Sequence, residues 1–155
     1  MPNSGLTTYE VFKVLRPEQV DAISNVAEQI SMKAGDTVYR QGDQADRIYA
    51  VLEGQVALRL PRQDGVSLLI EELTGGSLFG SCVCFDLPHY ALTALCTEDC
   101  RLLSIDAATL KRLMEEDLSM GHAVQTLLSR TYFQRYINAM RNLQAIVQAL
   151  PLEAE

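Results

Sequence analysis

Hydrophobic residues change their period twice along this chain of 155 residues. From Pro17 the apolar positions Val20, Ile23, Val26, Ala27 and Ile30 recur at three and four residues. Proline suits a first helical position, so an amphipathic helix is predicted from Pro17 to Ile30. A shorter apolar group before it, Val11, Phe12, Val14 and Leu15, reads as a helical lead-in from Tyr9. Between Gly35 and about Cys100 the period falls toward two, through Val38-Tyr39, Ile48-Tyr49-Ala50-Val51-Leu52, Val56-Ala57-Leu58-Arg59-Leu60 and Leu68-Leu69-Ile70. Strands turned about every ten residues predict an antiparallel roll, barrel or sandwich. Asp64-Gly65 predicts the hairpin between the strands ending at Leu60 and starting at Val66. Thr93 to Cys96 and Arg101 to Ile105 supply the last two strands. After Asp106, a suitable N-cap, the helical period returns. A short helix carries Leu110, Leu113 and Met114 to about Asp117, and a long one runs from about Met120 to Leu150, where Pro151 stops it.

Two further patterns refine this outline. Gly35, Gly42, Gly54, Gly76 and Gly80 interrupt the β-branched and aromatic runs, where tight turns call for positive φ. In the long helix Phe133, Met140 and Val147 fall seven apart, as do Tyr136, Leu143 and Leu150. That is an a/d seam, which predicts a homodimer through the C-terminal helix. The alternative is that the seam folds back on its own roll.

Composition narrows the function classes. Apolar residues make up 48% and charged residues 21%, which argues against disorder and gives one domain over residues 1–155 that needs neither disulfide nor metal. Its expected parts are N-terminal helices over about 9–32, a β-roll over about 34–105 and C-terminal helices over about 106–150. A net charge of −7 disfavours phosphate backbones and anionic lipids. No leader pattern or membrane-length apolar run stands in the sequence, so a cytoplasmic location is expected. Cys82, Cys84, Cys96 and Cys100 lack the paired spacing of a zinc ribbon and read as reduced, partly buried thiols, with a regulatory disulfide as the alternative.

The order helix, glycine-punctuated β-roll, short helix and long helix resembles the cyclic-nucleotide-binding domain family, catabolite-activator-like. The phrase A-G-D-x-V-Y-x-Q-G-D-x-A-D-x-I-Y-x-V-x-x-G, from Ala34 to Gly54, is similar to the family's first half. Leu73-x-x-Gly76-x-x-Phe79-Gly80 is similar to the approach to its phosphate-binding cassette. The resemblance implies a mixed, mainly β fold built on a jelly-roll-like antiparallel β-roll, and a ligand site over Phe79, Gly80, Ser81, Cys82, Val83, Cys84, His89, Tyr90 and Ala91. It also implies a glutamate after the Phe-Gly pair to hold the ribose hydroxyl, and an arginine some ten positions later to hold the phosphate.

Here Ser81 stands at the glutamate position, Val83 where a small residue is usual, and Tyr90 or His89 at the arginine position. Losing the charged ribose acceptor costs roughly 1.5–3 kcal/mol and losing the phosphate's cation about 2–5 kcal/mol. Together these remove about three to six decades of affinity. Arg47, Arg59 or a protonated His89 are the candidate replacements. The expectation is a non-enzymatic regulatory module with no cofactor, which does not bind cyclic AMP or cyclic GMP in the usual mode and acts through its long helix on a copy of itself or on an unidentified protein partner. Two alternatives remain. One is a true cyclic-nucleotide or other small-ligand sensor using Ser81 and Tyr90 hydroxyls. The other is a haem, metal or redox sensor using Cys82, Cys84 and His89.

Enzymatic patterns are missing. Only His89 and His122 are present, too few for a cupin metal site, and G-x-S-x-G is absent. Glu71-Glu72 and Glu115-Glu116 read as solvated pairs. Tyr132, Phe133 and Tyr136 are assigned to core or dimer packing, with a lid over a pocket as the alternative. Only Leu152 to Glu155 follow Pro151, so no DNA-reading helix pair is expected.

Overall fold

The computed structural model describes residues 10–151 and 153; Tyr9, where the expected lead-in starts, lies outside them. A 3-10 turn (Glu10–Val14) leads into α1 (Pro17–Val26), followed by β1 (Glu28–Met32), β2 (Thr37–Tyr39), β3 (Arg47–Glu53) and β4 (Val56–Pro61). Next come β5 (Ser67–Leu73), β6 (Leu78–Phe79), a second 3-10 turn (Cys82–Phe85), β7 (Thr93–Cys96) and β8 (Cys100–Asp106). Two helices close the chain, α2 (Ala107–Glu116) and α3 (Leu118–Gln148). The strands form two four-stranded antiparallel sheets, in the orders β1-β8-β3-β6 and β2-β7-β4-β5. This is the expected mixed, mainly β architecture, an antiparallel β-roll flanked by helices.

Period-two alternation divides the core into two compartments. On β3, Ile48, Ala50 and Leu52 face the helices while Tyr49 and Val51 face the roll interior. On β8, Leu103 and Ile105 face the helices and Leu102 faces inward. The outer compartment is closed by Phe12, Leu15 and Val20 from the N-terminal segment and by Met120, Val124, Leu127 and Leu128 from α3. Those four α3 positions follow the helical stripe i, i+4, i+7, i+8, so the first third of α3 is anchored on the roll. Asp106 and Asp117 cap α2 and α3, accepting from Thr109 N at 3.0 Å and Met120 N at 3.2 Å.

Three expected boundaries move. The helix predicted from Pro17 to Ile30 ends at Val26, and Glu28–Met32 is a strand paired antiparallel with β8, with Ile30 opposite Leu102. Ile30 thus packs on the roll interior, and residues 28–32 belong to the roll rather than to N-terminal helices. The long helix starts at Leu118 and ends at Gln148. The Asp64-Gly65 hairpin forms as expected, closed by Arg62 N donating to Val66 O at 2.8 Å.

All five glycines of the sequence pattern have positive φ. At Gly54 the space is closed as well, because a Cβ there would lie 2.4 Å from Asp99 O and 2.9 Å from Cys100 Cα. Gly54→Ala is therefore expected to lower stability by about 2–4 kcal/mol, combining left-handed strain with overpacking against backbone. Urea unfolding checks it, and a loss under about 1 kcal/mol contradicts it. All four cysteines are free thiols, Cys96 and Cys100 buried. Among the described residues no helix is long and apolar enough to cross a membrane, and no group of three or more His, Cys, Asp or Glu side chains could hold a metal ion.

Candidate functional site

The segment from Phe79 to Ala91 closes one side of the roll interior. Phe79 is fully buried and stacks on Tyr49, with ring centroids 5.3 Å apart. Tyr39 stacks on Tyr90 at 3.7 Å. Gly80 lies against this cluster with φ +75, and a Cβ there would come within 3.2–3.3 Å of the Tyr39, Tyr49 and Tyr90 rings. Rings from β2, β3, β6 and the loop before β7 thus fill much of the interior.

Side chains at the expected ligand-holding positions are committed to protein partners. Ser81, 1% exposed, hydrogen-bonds through Oγ to the Tyr132 hydroxyl of α3 at 2.9 Å. The Tyr90 hydroxyl donates to Arg47 O at 2.7 Å and accepts from Arg47 N at 3.2 Å. Burial pushes the Tyr90 phenol up to about 12, so it stays protonated and keeps that donor bond at neutral pH. Cys82 borders the remaining interior space, and Val83 packs between the two core compartments. Cys84 points toward α2, where burial raises its thiol pKa and Lys111 opposes the rise. His89 is exposed and makes an isolated bridge to Gln44. The fold therefore brings Phe79, Gly80, Ser81, Cys82, Tyr90 and Ala91 together and leaves Cys84 and His89 outside.

A residual cavity of about 60 Å3 survives between Tyr39, Gly80, Cys82, Ala91, Tyr132 and Arg135. Tyr132 lids it from α3, the use held as the alternative from sequence. The cation at this cavity is Arg135, which the sequence reading did not select. Arg47 donates through Nε to Ser104 Oγ at 2.7 Å, and Arg59 bonds Ser67, so neither faces the cavity. Arg135 Nε pairs with Glu71 Oε2 on β5 and its Nη2 donates to Leu78 O at 3.0 Å. Glu71 is accordingly a half-buried ion-pair partner and not a solvated acid, while Glu72 accepts from Gln55 Nε2 at 3.1 Å. The Arg135 guanidinium carbon sits 5.5 Å from the Tyr132 ring centroid, within cation–π range.

Beyond Arg135 the helix leaves the roll. Phe133, Tyr136, Met140, Leu143, Val147 and Leu150 are 42–64% exposed, so the a/d seam does not fold back on its own chain.

Residues 29–117 match the model of the family described as "Cyclic nucleotide-binding domain". The chain belongs to that family. Among curated cyclic nucleotide-binding relatives, it is 24% identical over 135 residues to a cAMP-dependent protein kinase regulatory subunit of Dictyostelium discoideum, covering 86% of this chain and 41% of that one. It is 22% identical over 120 residues to a CRP-like cAMP-activated global transcriptional regulator of Mycobacterium tuberculosis, covering 77% and 54%. The chain thus spans about half the length of the curated relatives it matches. The crystal structure of a cyclic nucleotide-binding domain from Methylobacillus flagellatus superposes with a TM-score of 0.80 at 13% identity, over 96% of this chain and 83% of that one, a likeness of fold. Within the cyclic nucleotide-binding family, this member carries its cavity cation on α3.

Proposed function

We propose that this protein is a cytoplasmic, non-enzymatic regulatory module that does not take cyclic AMP or cyclic GMP in the family's usual mode and transmits its state through α3 to a second copy of itself. The observation that carries this reading is that Ser81 and Tyr90, at the ribose and phosphate positions, spend their polar groups on Tyr132 and on the Arg47 backbone. A nucleotide entering the roll would have to break both and displace stacked rings. The apolar seam on the distal half of α3 supports the second element, because contiguous exposed apolar surface marks an association site. Direct DNA contact is not part of the reading, since the chain carries net charge −7.

Thermal unfolding with cyclic nucleotide tests the first element. A micromolar site under hundredfold ligand excess would gain about 2.7 kcal/mol, several degrees for a domain of this size. The expected result is no shift with cyclic AMP or cyclic GMP at such concentrations. A reproducible rise of several degrees with either one overturns the reading.

A further inference from the structure

We infer that Cys96 and Cys100 are an oxidant-sensitive thiol pair, which closes into a reversible disulfide and staples the two sheets together at one end of the roll. Neither residue lines the inner cavity, so the pair acts apart from the segment around Gly80.

The fold brings the two sulfurs together. Cys96 closes β7, an inner strand of one sheet, and Cys100 opens β8, an inner strand of the other, so Thr97, Glu98 and Asp99 carry the chain across between them. The β1–β2 and β3–β4 crossings meet this one at the same end of the roll. Gly35 N donates to Cys96 O at 2.8 Å, Ala34 N to Asp99 Oδ1 at 3.0 Å and Thr97 N to Gln55 O at 3.0 Å. Gln55 O also accepts from the Cys100 thiol at 3.2 Å, so one carbonyl holds both the peptide N–H that follows Cys96 and the Cys100 sulfur. Both side chains are buried in the same core cluster, 1% and 5% exposed. Burial, and after it the adjoining Cys100 thiol, push the Cys96 thiol up to about 12.

Hydrogen peroxide, small and uncharged, can reach the pair through Thr97, Glu98 and Asp99, which are exposed. Cys100 borders that turn and reacts first, as its thiolate. Its sulfur takes one oxygen as the O–O bond breaks, giving a sulfenic acid, and the hydroxide released takes up the proton that Cys100 gave up. The Cys96 sulfur then attacks the sulfenic sulfur. The S–S bond forms as the S–O bond breaks, and the departing hydroxide leaves with the Cys96 proton as a second water. Two thiols lose two electrons and one peroxide becomes two waters; a thiol reductant reverses the bond by exchange. Closure orphans no buried carbonyl. Once the Cys100 S–H is gone, Gln55 O keeps Thr97 N, and Glu98 O lies on the exposed turn. The bond joins β7, paired with β2 and β4, to β8, paired with β1 and β3, so it stiffens both sheets at once.

The test treats the native full chain with hydrogen peroxide and reads intact mass, peptide linkage and thermal unfolding. The expected product is lighter by about 2 Da, the two hydrogens lost in closing one disulfide. Cleavage after Glu98 should give two peptides that stay joined through Cys96 and Cys100 until a reductant is added. The oxidised chain should melt several degrees above the reduced one, because the bond restricts the unfolded state. Cys82→Ala/Cys84→Ala should behave as the parent, whereas Cys96→Ala should stop at a Cys100 sulfenic acid that dimedone labels. Two results overturn the inference on the parent chain alone, without any variant: no Cys96–Cys100 peptide under excess peroxide, or a Cys96–Cys100 bond that forms only in urea.

Discussion

Phe79→Ala is expected to lower the unfolding free energy by about 3–5 kcal/mol, a drop in Tm on the order of 10 °C. Phe79 is 0% exposed and lies on the short strand β6, whose backbone pairs with Tyr49 of β3. Its ring stacks on Tyr49 at 5.3 Å and meets Tyr39 at 6.1 Å, so truncation removes two aromatic contacts along with the buried area. The neighbouring space at Gly80 is already tight, since even a Cβ there would come within 3.2–3.3 Å of three tyrosine rings, which limits how far the walls can move to heal the gap. Phe133→Ala makes the contrast, since Phe133 is 64% exposed and its loss should change the unfolding free energy of a single chain by under about 0.5 kcal/mol. Urea unfolding of the two variants at a concentration that keeps the chain dissociated checks the pair. Equal losses, or a Phe79→Ala loss below about 1 kcal/mol, would show that the ring cluster does not hold the roll interior closed.

The fold was legible in the sequence because the roll writes two signals at once, positive-φ glycines at its turns and alternation along strands with one face in each compartment. β3 is the clearest case, where Tyr49 and Val51 enter the roll while Ile48, Ala50 and Leu52 meet the helices. β1 escaped because Val26, Ala27 and Ile30 continue the helical spacing set by Val20 and Ile23, while Ile30 and Met32 also fit an alternation. Pairing with β8 decides between the two, and that contact spans some seventy residues of chain. At the site, the positions of Ser81 and Tyr90 were readable from the glycine frame, but their partners were not. Tyr132 and Arg135 come from another element 51 and 57 residues away from Ser81 and Leu78. A signal for Arg135 did exist: Val124, Leu128, Tyr132 and Arg135 continue one helical stripe, and a cation on a core-facing stripe needs a buried counter-charge. The apolar seam beside it drew the reading toward the opposite face of the same helix.

That opposite face sets the second large effect. Met140→Asp/Leu143→Asp is expected to convert a dimer into a single chain, raising the dissociation constant by at least about a thousandfold. Both residues sit mid-seam and keep 42% and 50% of their surface exposed. An a/d seam is self-complementary, and a two-fold interface presents every substitution twice. Central apolar anchors contribute about 2 kcal/mol or more each, and two of them account for about 4 kcal/mol, three decades at 1.4 kcal/mol per decade. Carboxylates buried opposite their own copies add repulsion to that loss. The substitutions should leave the roll intact, since the α3 residues that anchor it, Met120, Val124, Leu127 and Leu128, lie more than three turns upstream of Met140. Sedimentation or light scattering with far-ultraviolet circular dichroism reads both properties on one sample. A parent protein with the mass of one chain at tens of micromolar would assign the seam to a different partner and overturn the dimer. A variant that remains dimeric would place the interface elsewhere on the molecule, with the exposed apolar residues Leu68 and Leu69 of the β5 edge strand as the next surface to test.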